Sequence, residues 1–210
     1  MTPEELRDAL RMHRLLAIVR GREPDAALRT AVTLVECGVR LVEVSLSTPD
    51  AVAVIAQARE EIGASGLLGA GTVLEPGDVR RVADAGAAYV VTPAHTRAEA
   101  VAHELGLPVL AGAFTPSEIL AAHDAGAAAV KLFPASLHGP AYLRALRDPF
   151  PHVPIVPVGG VDAEAAYAYL QAGAVAVGVG TPLVGDAASG GSLDGLRKRA
   201  GEFVAATRRP

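Results

Sequence analysis

Apolar residues follow two alternating patterns along the chain. Short, nearly continuous apolar runs are typical of buried strands, and each is followed by a stretch in which apolar residues recur at helical spacing. The pattern predicts eight strand–helix units, preceded by a short helix at 3–12. The predicted strands are 15–20, 41–46, 67–72, 88–92, 108–113, 128–133, 155–159 and 175–179. The predicted helices are 25–37, 50–62, 76–85, 96–105, 115–125, 140–148, 162–172 and 194–207.

The predicted helix ends carry local signals. Glycine follows several of them, as in Ala85-Gly86-Ala87 and Ala125-Gly126-Ala127, where it can adopt the left-handed conformation that terminates a helix. Pro or an acidic residue stands in the first turn of others, as in Glu75-Pro76 and Thr115-Pro116. Such residues are favoured at helix N-termini.

Strictly alternating strands and helices require a parallel sheet covered by helices. Eight units favour closure into a (β/α)8 TIM barrel, in which catalytic residues lie at the C-terminal ends of the strands. An open, doubly wound sheet is the alternative, but no GxGxxG motif follows the first predicted strand. The 210 residues, half of them apolar, suffice for one sizeable core, so we expect a single domain spanning 1–210.

Composition and charge exclude several functional classes. Net charge is −4 without a basic stripe, which argues against a nucleic-acid partner, and no apolar run has the length of a membrane span. The single cysteine, Cys37, rules out an internal disulfide, and the six histidines show no ligand spacing. We therefore expect a cytoplasmic protein with no metal, no cofactor and no membrane contact.

Lys131 is the strongest candidate for catalysis. The chain has 17 arginines and only two lysines, yet a lysine lies inside the apolar stretch Ala128–Phe133. Guanidinium does not deprotonate, whereas burial can lower the pKa of an amine until it acts as a nucleophile. Lowering that pKa from about 10.4 to about 7–8 costs roughly 4 kcal/mol. A paired or rim-reaching lysine is the alternative, but we favour a nucleophile.

Glu43 is the second candidate. Alternation along the second strand places Val42 and Val44 on one face and Glu43 and Ser45 on the other. Because the apolar face should meet the helices, Glu43 is predicted to point into the barrel, where burial can raise its pKa and suit it to proton transfer. A salt bridge to Lys131 is the alternative and is compatible with this role.

Glycines at the ends of the last two strands suggest a phosphate site. Gly159-Gly160 follow the seventh predicted strand and Gly180-Thr181 follow the eighth, where barrels often bind phosphate. Glycine allows an oxyanion to approach the backbone closely. Gly-Gly alone is more often an ordinary turn, but the joint placement favours phosphate binding.

Two further residues on this rim are suited to hold a carboxylate. Arg20 ends the first predicted strand and could bind a carboxylate bidentately. Thr72 ends the third and could hydrogen-bond the same group. A rim salt bridge for Arg20 and a satisfied strand-end hydroxyl for Thr72 are the alternatives. His95 follows Thr92-Pro93 and is predicted to be an exposed loop histidine rather than an acid or base.

These segments together resemble the 2-keto-3-deoxy-6-phosphogluconate aldolase family, which includes the 4-hydroxy-2-oxoglutarate and 2-keto-3-deoxy-6-phosphogalactonate aldolases. The matching segments run in order along nearly the whole chain. GAGTV and K-x-FP are specific to the family. The segments are AIVRG (17–21), VEVSLSTP (42–49), LGAGTVL (68–74), VVTPAH (90–95), VKLFPAS (130–136), HGPAYLRAL (138–146), PVGGV (157–161) and GVGTPL (178–183).

The resemblance implies a class I aldolase that needs no metal and is typically homotrimeric. Lys131 would form the Schiff base and Glu43 would be the general acid/base. Thr72, Pro93 and Phe133 would line the pyruvate pocket, with Thr72 on the carboxylate. The phosphate would be held by Gly159, Gly160, Gly180 and Thr181.

One position distinguishes two branches of the family. The phosphogluconate branch commonly carries Arg four residues after the catalytic Glu, and Ser47 stands there in this chain. The phosphogalactonate branch lacks that Arg, carries the arginine that matches Arg20, and has Val, like Val158, where the other branch has Thr. The sequence therefore favours reversible cleavage of 2-keto-3-deoxy-6-phosphogalactonate to pyruvate and D-glyceraldehyde 3-phosphate. Phosphogluconate or 4-hydroxy-2-oxoglutarate cleavage by the same mechanism is the alternative.

Two other functions use parts of the same pattern. A phosphosugar isomerase or epimerase would use Glu43 as its base and would not need Lys131. A non-catalytic phosphate-binding barrel would keep the glycine sites but has no reason to bury Lys131 and Glu43. Both account for fewer of the residues than an aldolase does.

Overall fold

Eight strands alternate with helices in the computed structural model, which describes residues 1–208, so the last two residues of the predicted domain lie outside the described part. The strands are β1 (Leu15–Val19), β2 (Leu41–Ser45), β3 (Leu67–Gly71), β4 (Val90–Val91), β5 (Val109–Ala113), β6 (Ala129–Leu132), β7 (Ile155–Pro157) and β8 (Val177–Val179). The helices are α1 (Pro3–His13), α2 (Pro24–Glu36), α3 (Ala51–Ile62), α4 (Pro76–Asp84), α5 (Ala98–Glu104), α6 (Pro116–Asp124), α7 (Gly139–Arg147), α8 (Ala163–Gln171), α9 (Thr181–Val184) and α10 (Leu193–Arg208). Single 3-10 turns lie at Gly63–Ser65, Ala135–Leu137 and Ala187–Ser189.

The strands form one parallel barrel. Each strand pairs with the next along the chain from β1 to β7, and β8 pairs with β1 through Leu15–Val177 and its neighbours. A single bridge between Val158 and Gly178 links β7 to β8. The predicted (β/α)8 barrel is confirmed. Within residues 1–208, no helix is both long enough and apolar enough to pass through a bilayer.

Several strands are shorter than predicted. β4 contains two residues, and β7 ends at Pro157 instead of reaching 159. Gly159 and Gly160 have φ of +99° and +70°, so the chain leaves the extended conformation before them. The prediction also missed α9, because its four residues are too few to show helical periodicity.

The helix ends match their sequence signals. α6 begins with a capping box in which the Thr115 hydroxyl accepts from the Glu118 N–H and the Glu118 carboxylate accepts from the Thr115 N–H. The same helix is followed by Gly126 at φ +91°, the left-handed conformation that only glycine adopts without cost. These local devices fix where the chain turns back toward the barrel.

The interior of the barrel is filled by alternate strand residues. Leu16, Leu41, Tyr89 and Leu110 pack together inside it, while the intervening residues pack against the helices. The buried Leu6 and Leu10 of α1 join the interior cluster where the strands begin. The N-terminal helix therefore closes one end of the barrel, and the ends of the strands leave the other end open.

Candidate active site

A cavity of about 560 Å³ opens at the C-terminal ends of the strands. It collects residues from six separate parts of the chain that the sequence had placed on one rim. Every predicted substrate-binding residue lines it, together with Lys131. The lining residues are Ile18, Arg20, Thr72, Pro93, Lys131, Phe133, Val158, Gly159, Gly160, Gly180, Thr181, Pro182, Val184 and Gly185.

Lys131 reaches the cavity from inside the barrel. It lies on β6 between Gly112 of β5 and Val156 of β7, and only 5% of the residue is exposed. Its Nζ is 5.3 Å from the centroid of the Phe133 ring. Burial lowers the pKa of this amine, against the opposing effect of Glu43 and with a further lowering by Arg20. A larger share of neutral amine is therefore present near neutral pH than for an exposed lysine.

Glu43 is buried beside this cavity. It lies on β2 between Ile18 of β1 and Gly69 of β3, and 1% of it is exposed. A side chain at Gly71 would overlap Oε1 of Glu43, so this glycine provides the space that the carboxyl occupies. The inward orientation predicted from alternation is confirmed.

The Glu43 carboxyl has few interactions that would stabilise its negative charge. Its Oε2 has no hydrogen-bond partner among the described residues. Burial raises its pKa, while the charges of Lys131 and Arg20 lower it and do not cancel the effect. A raised pKa makes the protonated form of this carboxyl more available than it is for an exposed glutamate, as a proton donor requires.

Lys131 and Glu43 influence each other without touching. Each appears among the charges that shift the pKa of the other, yet no ion pair within 4.0 Å joins them in residues 1–208. The close salt bridge considered from the sequence is therefore not formed. Lys131 lines the cavity, whereas Glu43 is buried behind its lining residues.

Arg20 and Thr72 meet at one side of the cavity. Arg20 Nη2 donates to Thr72 Oγ1 over 3.5 Å, and Arg20 Nε donates to Ser45 Oγ over 3.4 Å. Both contacts are long, so the guanidinium keeps donor capacity for a ligand. Thr72 has φ +58°, which is rare for a β-branched residue. The predicted neighbourhood of these two side chains is confirmed by geometry.

The glycines that follow β7 and β8 are shaped by packing as well. A side chain at Gly160 would approach Ser136, and one at Gly159 would approach the Phe133 ring. Gly180 immediately precedes α9, and β8 pairs with β1, so this part of the wall adjoins the part that carries Arg20. All three glycines and Thr181 line the cavity.

His95 is exposed, as predicted, but it is not isolated. Its Nδ1 lies 2.7 Å from Oε2 of Glu99, whose side chain is 5% exposed. Glu99 Oε1 also accepts from the Thr92 hydroxyl and the Thr96 N–H. This buried carboxylate anchors the loop that carries Pro93 into the cavity. This anchoring role of Glu99 was not predicted from the sequence, although Thr96-x-x-Glu99 has the capping-box spacing that could have indicated it.

Known proteins resemble this chain both in sequence and in structure. The family described as "Aldolase: KDPG and KHG aldolase" matches residues 6–194. The 2-dehydro-3-deoxy-6-phosphogalactonate aldolase of Escherichia coli K12 is 35% identical over 196 residues, covering 92% of this chain and 94% of that protein.

Two solved structures share the barrel. A structure named "Native KDPGal structure" superposes with a TM-score of 0.86 at 35% identity, covering 92% of this chain and 94% of its own. A cube-shaped, porous protein cage "designed by fusing symmetric oligomeric domains" matches with a TM-score of 0.86 at 34% identity, covering 93% of this chain and 72% of its own. Both likenesses extend over nearly the whole of this chain.

Proposed function

The chain belongs to the KDPG and KHG aldolase family, and from that premise we propose that it is a class I aldolase with Lys131 as nucleophile and Glu43 as proton carrier. Its proposed reaction is the reversible cleavage of 2-keto-3-deoxy-6-phosphogalactonate to pyruvate and D-glyceraldehyde 3-phosphate. The observation that carries the proposal is a buried amine that lines the cavity and a buried carboxyl whose charge acts on it. Burial shifts the pKa of each toward its neutral form.

The first half of the reaction forms the iminium. Neutral Lys131 attacks the C2 ketone of the substrate and gives a carbinolamine. Glu43, acting through a water molecule, supplies the proton with which hydroxide leaves as water. The resulting iminium withdraws electrons from C3, which is the role that requires an amine and that an arginine cannot fill.

The second half breaks the carbon–carbon bond. Glu43, now ionised, takes the proton of the C4 hydroxyl, and the C3–C4 electron pair moves toward the iminium nitrogen. Glyceraldehyde 3-phosphate leaves and an enamine of pyruvate remains on Lys131. Glu43 returns the proton to C3, and hydrolysis of the iminium releases pyruvate and the free amine.

Two parts of the cavity wall fit the two ends of this substrate. Arg20 and Thr72 present hydrogen-bond donors, and we assign the carboxylate to them. Gly159, Gly160 and Gly180, with Thr181, form the wall after β7 and β8, and we assign the phosphate to their backbone. Pro93 and Phe133 would hold the pyruvate carbons between these ends.

The choice between C4 epimers rests on Val158. This residue is 4% exposed and lines the cavity immediately before Gly159. A valine cannot hydrogen-bond a hydroxyl, whereas a threonine at this position could read it. The 35% identity to the phosphogalactonate aldolase of Escherichia coli supports the same preference.

Reductive trapping tests the proposed nucleophile. Wild-type protein treated with pyruvate and borohydride should gain a stable adduct on the peptide that contains Lys131, and Lys131→Arg should lose both the adduct and turnover. Lys198→Arg is the matched control, because it removes the other lysine from the exposed surface of α10. Turnover in Lys131→Arg, or no adduct in wild type, would favour a phosphosugar isomerase over the aldolase.

A retro-aldol assay on both C4 epimers tests the substrate. Wild type should have a higher kcat/KM for the galactonate form than for the gluconate form. Val158→Thr should shift the ratio of these two values toward the gluconate form by about tenfold, because the threonine adds one hydrogen bond to a substrate hydroxyl. A strong wild-type preference for the gluconate form would contradict the branch assignment and leave the aldolase chemistry intact.

We also propose that the protein is a homotrimer. An open groove of about 960 Å³ lies along α3 and α4, and its exposed apolar residues would be covered by a second copy. We call this surface the α3–α4 groove. Its apolar lining residues are Leu46, Ala51, Val52, Ala53, Ala56, Leu74 and Ala85. The match to a cage designed from symmetric oligomeric domains supports assembly.

The cytoplasmic location expected from the sequence also stays a proposal. It is supported by the single, unpaired Cys37, which fits a reducing compartment. Cell fractionation followed by detection of the protein would test it.

A further inference from the structure

Three hydroxyl groups form a chain beside the cavity. Ser45 Oγ lies 2.8 Å from Ser47 Oγ and 2.9 Å from Thr72 Oγ1. Ser47 is exposed, Ser45 is fully buried and Thr72 lines the cavity. The three groups, here called the hydroxyl relay, therefore lead from the surface to the cavity wall.

A bound carboxylate would set the direction of this relay. A hydroxyl can donate one hydrogen, whereas a carboxylate only accepts. When Thr72 donates to the carboxylate, its oxygen must accept at the 2.9 Å contact, so Ser45 donates to Thr72. Ser47 Oγ then donates to Ser45 at the 2.8 Å contact, which is much shorter than the 3.4 Å contacts that Ser45 Oγ also accepts from Arg20 Nε and from the Ser47 N–H. Each hydrogen bond polarises the next, which strengthens the last donor in the chain.

Arg20 acts in the same direction. Its guanidinium donates to both Thr72 Oγ1 and Ser45 Oγ and cannot accept. With Arg20 and Ser45 both donating to it, the Thr72 oxygen has its two lone pairs occupied. Its own hydrogen is then free to point only away from them, toward the cavity that Thr72 lines.

The backbone holds Thr72 in one position. Its φ of +58° places a β-branched residue in the left-handed region, which costs free energy and persists only when surrounding contacts enforce it. The Ser45 and Arg20 contacts supply that enforcement for the side chain, and the next residue is held by the Val73 N–H donating to Val91 O.

We propose that Ser45 is a positioning residue that orients and polarises the Thr72 hydroxyl toward the carboxylate end of the keto acid, with Ser47 as the outer member of the relay. The proposal rests on the proposed function, since it requires an anionic keto acid at Lys131. Aligned hydroxyl dipoles, together with the Arg20 guanidinium, would stabilise the anion.

The test measures half-saturation of borohydride trapping at Lys131 with pyruvate and with methyl pyruvate, its uncharged ester. Ser45→Ala should raise half-saturation for pyruvate by about tenfold, since a hydrogen bond to a charged group is weakened, and change that for the ester by less than about twofold. Ser45→Thr should restore pyruvate binding because it keeps the hydroxyl on a strand residue. The pH dependence of trapping should be the same in all variants.

Ser47→Ala provides the second variant, because loss of an exposed hydroxyl does not threaten folding. It should weaken pyruvate binding by about twofold to threefold, less than Ser45→Ala, since it removes only polarisation. Equal effects on pyruvate and its ester, or no effect in both variants, would overturn the relay while trapping at saturating pyruvate still upholds the proposed function. Absence of trapping in wild type would overturn both.

Discussion

At the scale of single residues, the active site is a place where burial works against ionisation. Lys131 and Glu43 are 5% and 1% exposed, and neither forms a close ion pair with the other. Burial consequently lowers the pKa of the amine and raises the pKa of the carboxyl. The proposed imine chemistry would use a neutral amine and an exchangeable proton, which accounts for a fold that bears this cost.

Glu43→Gln should separate activity from stability. Loss of the proton carrier should lower kcat by at least about a hundredfold. In wild type, kcat/KM should fall as pH drops through the pKa of Glu43, which lies above the ordinary glutamate range. Steady-state kinetics across pH checks both expectations, with the exposed Glu104→Gln of α5 as the control. A kcat within tenfold of wild type would assign the proton transfer to another group.

The same variant should be more stable than wild type at neutral and alkaline pH. Because the pKa of Glu43 is higher in the folded state than in the unfolded chain, wild-type stability is lost as pH rises through the folded-state value. The difference in the free energy of unfolding should therefore shrink as pH falls toward the ordinary glutamate pKa. Urea denaturation at several pH values measures it, and a less stable Glu43→Gln at high pH would contradict it.

At the scale of elements, β3 determines what the barrel interior can hold. Its inward positions are Gly69 and Gly71, and a Cβ at either would overlap a large neighbour, the Tyr89 ring or the Glu43 carboxyl. The Tyr89 hydroxyl donates to Val42 O over 2.9 Å, directly beside Glu43. The two glycines thus allow a tyrosine and the buried Glu43 carboxyl to share the interior with β3.

Gly69→Ala should destabilise the fold through overpacking. We expect a loss of about 1–3 kcal/mol, which corresponds to several degrees in the melting temperature of a protein of this size. Gly77→Ala in α4 is the matched control, because nothing lies within 4 Å of a Cβ added there, and it should be neutral or slightly stabilising. Thermal denaturation compares the two, and equal melting temperatures would mean that the Tyr89 ring moves at little cost.

At the scale of the whole molecule, the barrel separates its two ends. α1 closes the end where the strands begin, and the polar rim and cavity occupy the other. The α3–α4 groove lies on the outer surface of the barrel, but Ser47 and Thr72 of the hydroxyl relay also line it. A second copy covering the groove would therefore lie next to the hydroxyl relay.

Leu74→Glu should disrupt the proposed trimer. Leu74 is 44% exposed within the α3–α4 groove. A charge there should therefore weaken the contact between subunits without destabilising the core. Light scattering should give three times the 21.4 kDa chain mass for wild type and a smaller mass for the variant. Leu105→Glu is the control, since Leu105 is equally exposed at 44% outside the groove. A wild-type monomer would overturn the proposal.

The sequence by itself determined the order of elements and the faces of the strands, and it singled out Lys131 as the candidate nucleophile. Alternation along β2 is enough to point Glu43 inward, and a lone lysine in an apolar strand is enough to single out Lys131. These features depend on periodicity and residue type within one segment, so they can be read from neighbours along the chain.

Only the tertiary structure decided which side chains meet. The hydroxyl relay and the Gly69–Tyr89 packing each join different strands. The separation of Lys131 and Glu43 depends on how β2 and β6 are placed in the barrel. The closing bridge from Val158 to Gly178 and the left-handed Thr72 likewise depend on the curvature of the closed barrel. Such contacts are set by how segments distant in sequence pack, and local patterns along the chain carry no information about that separation.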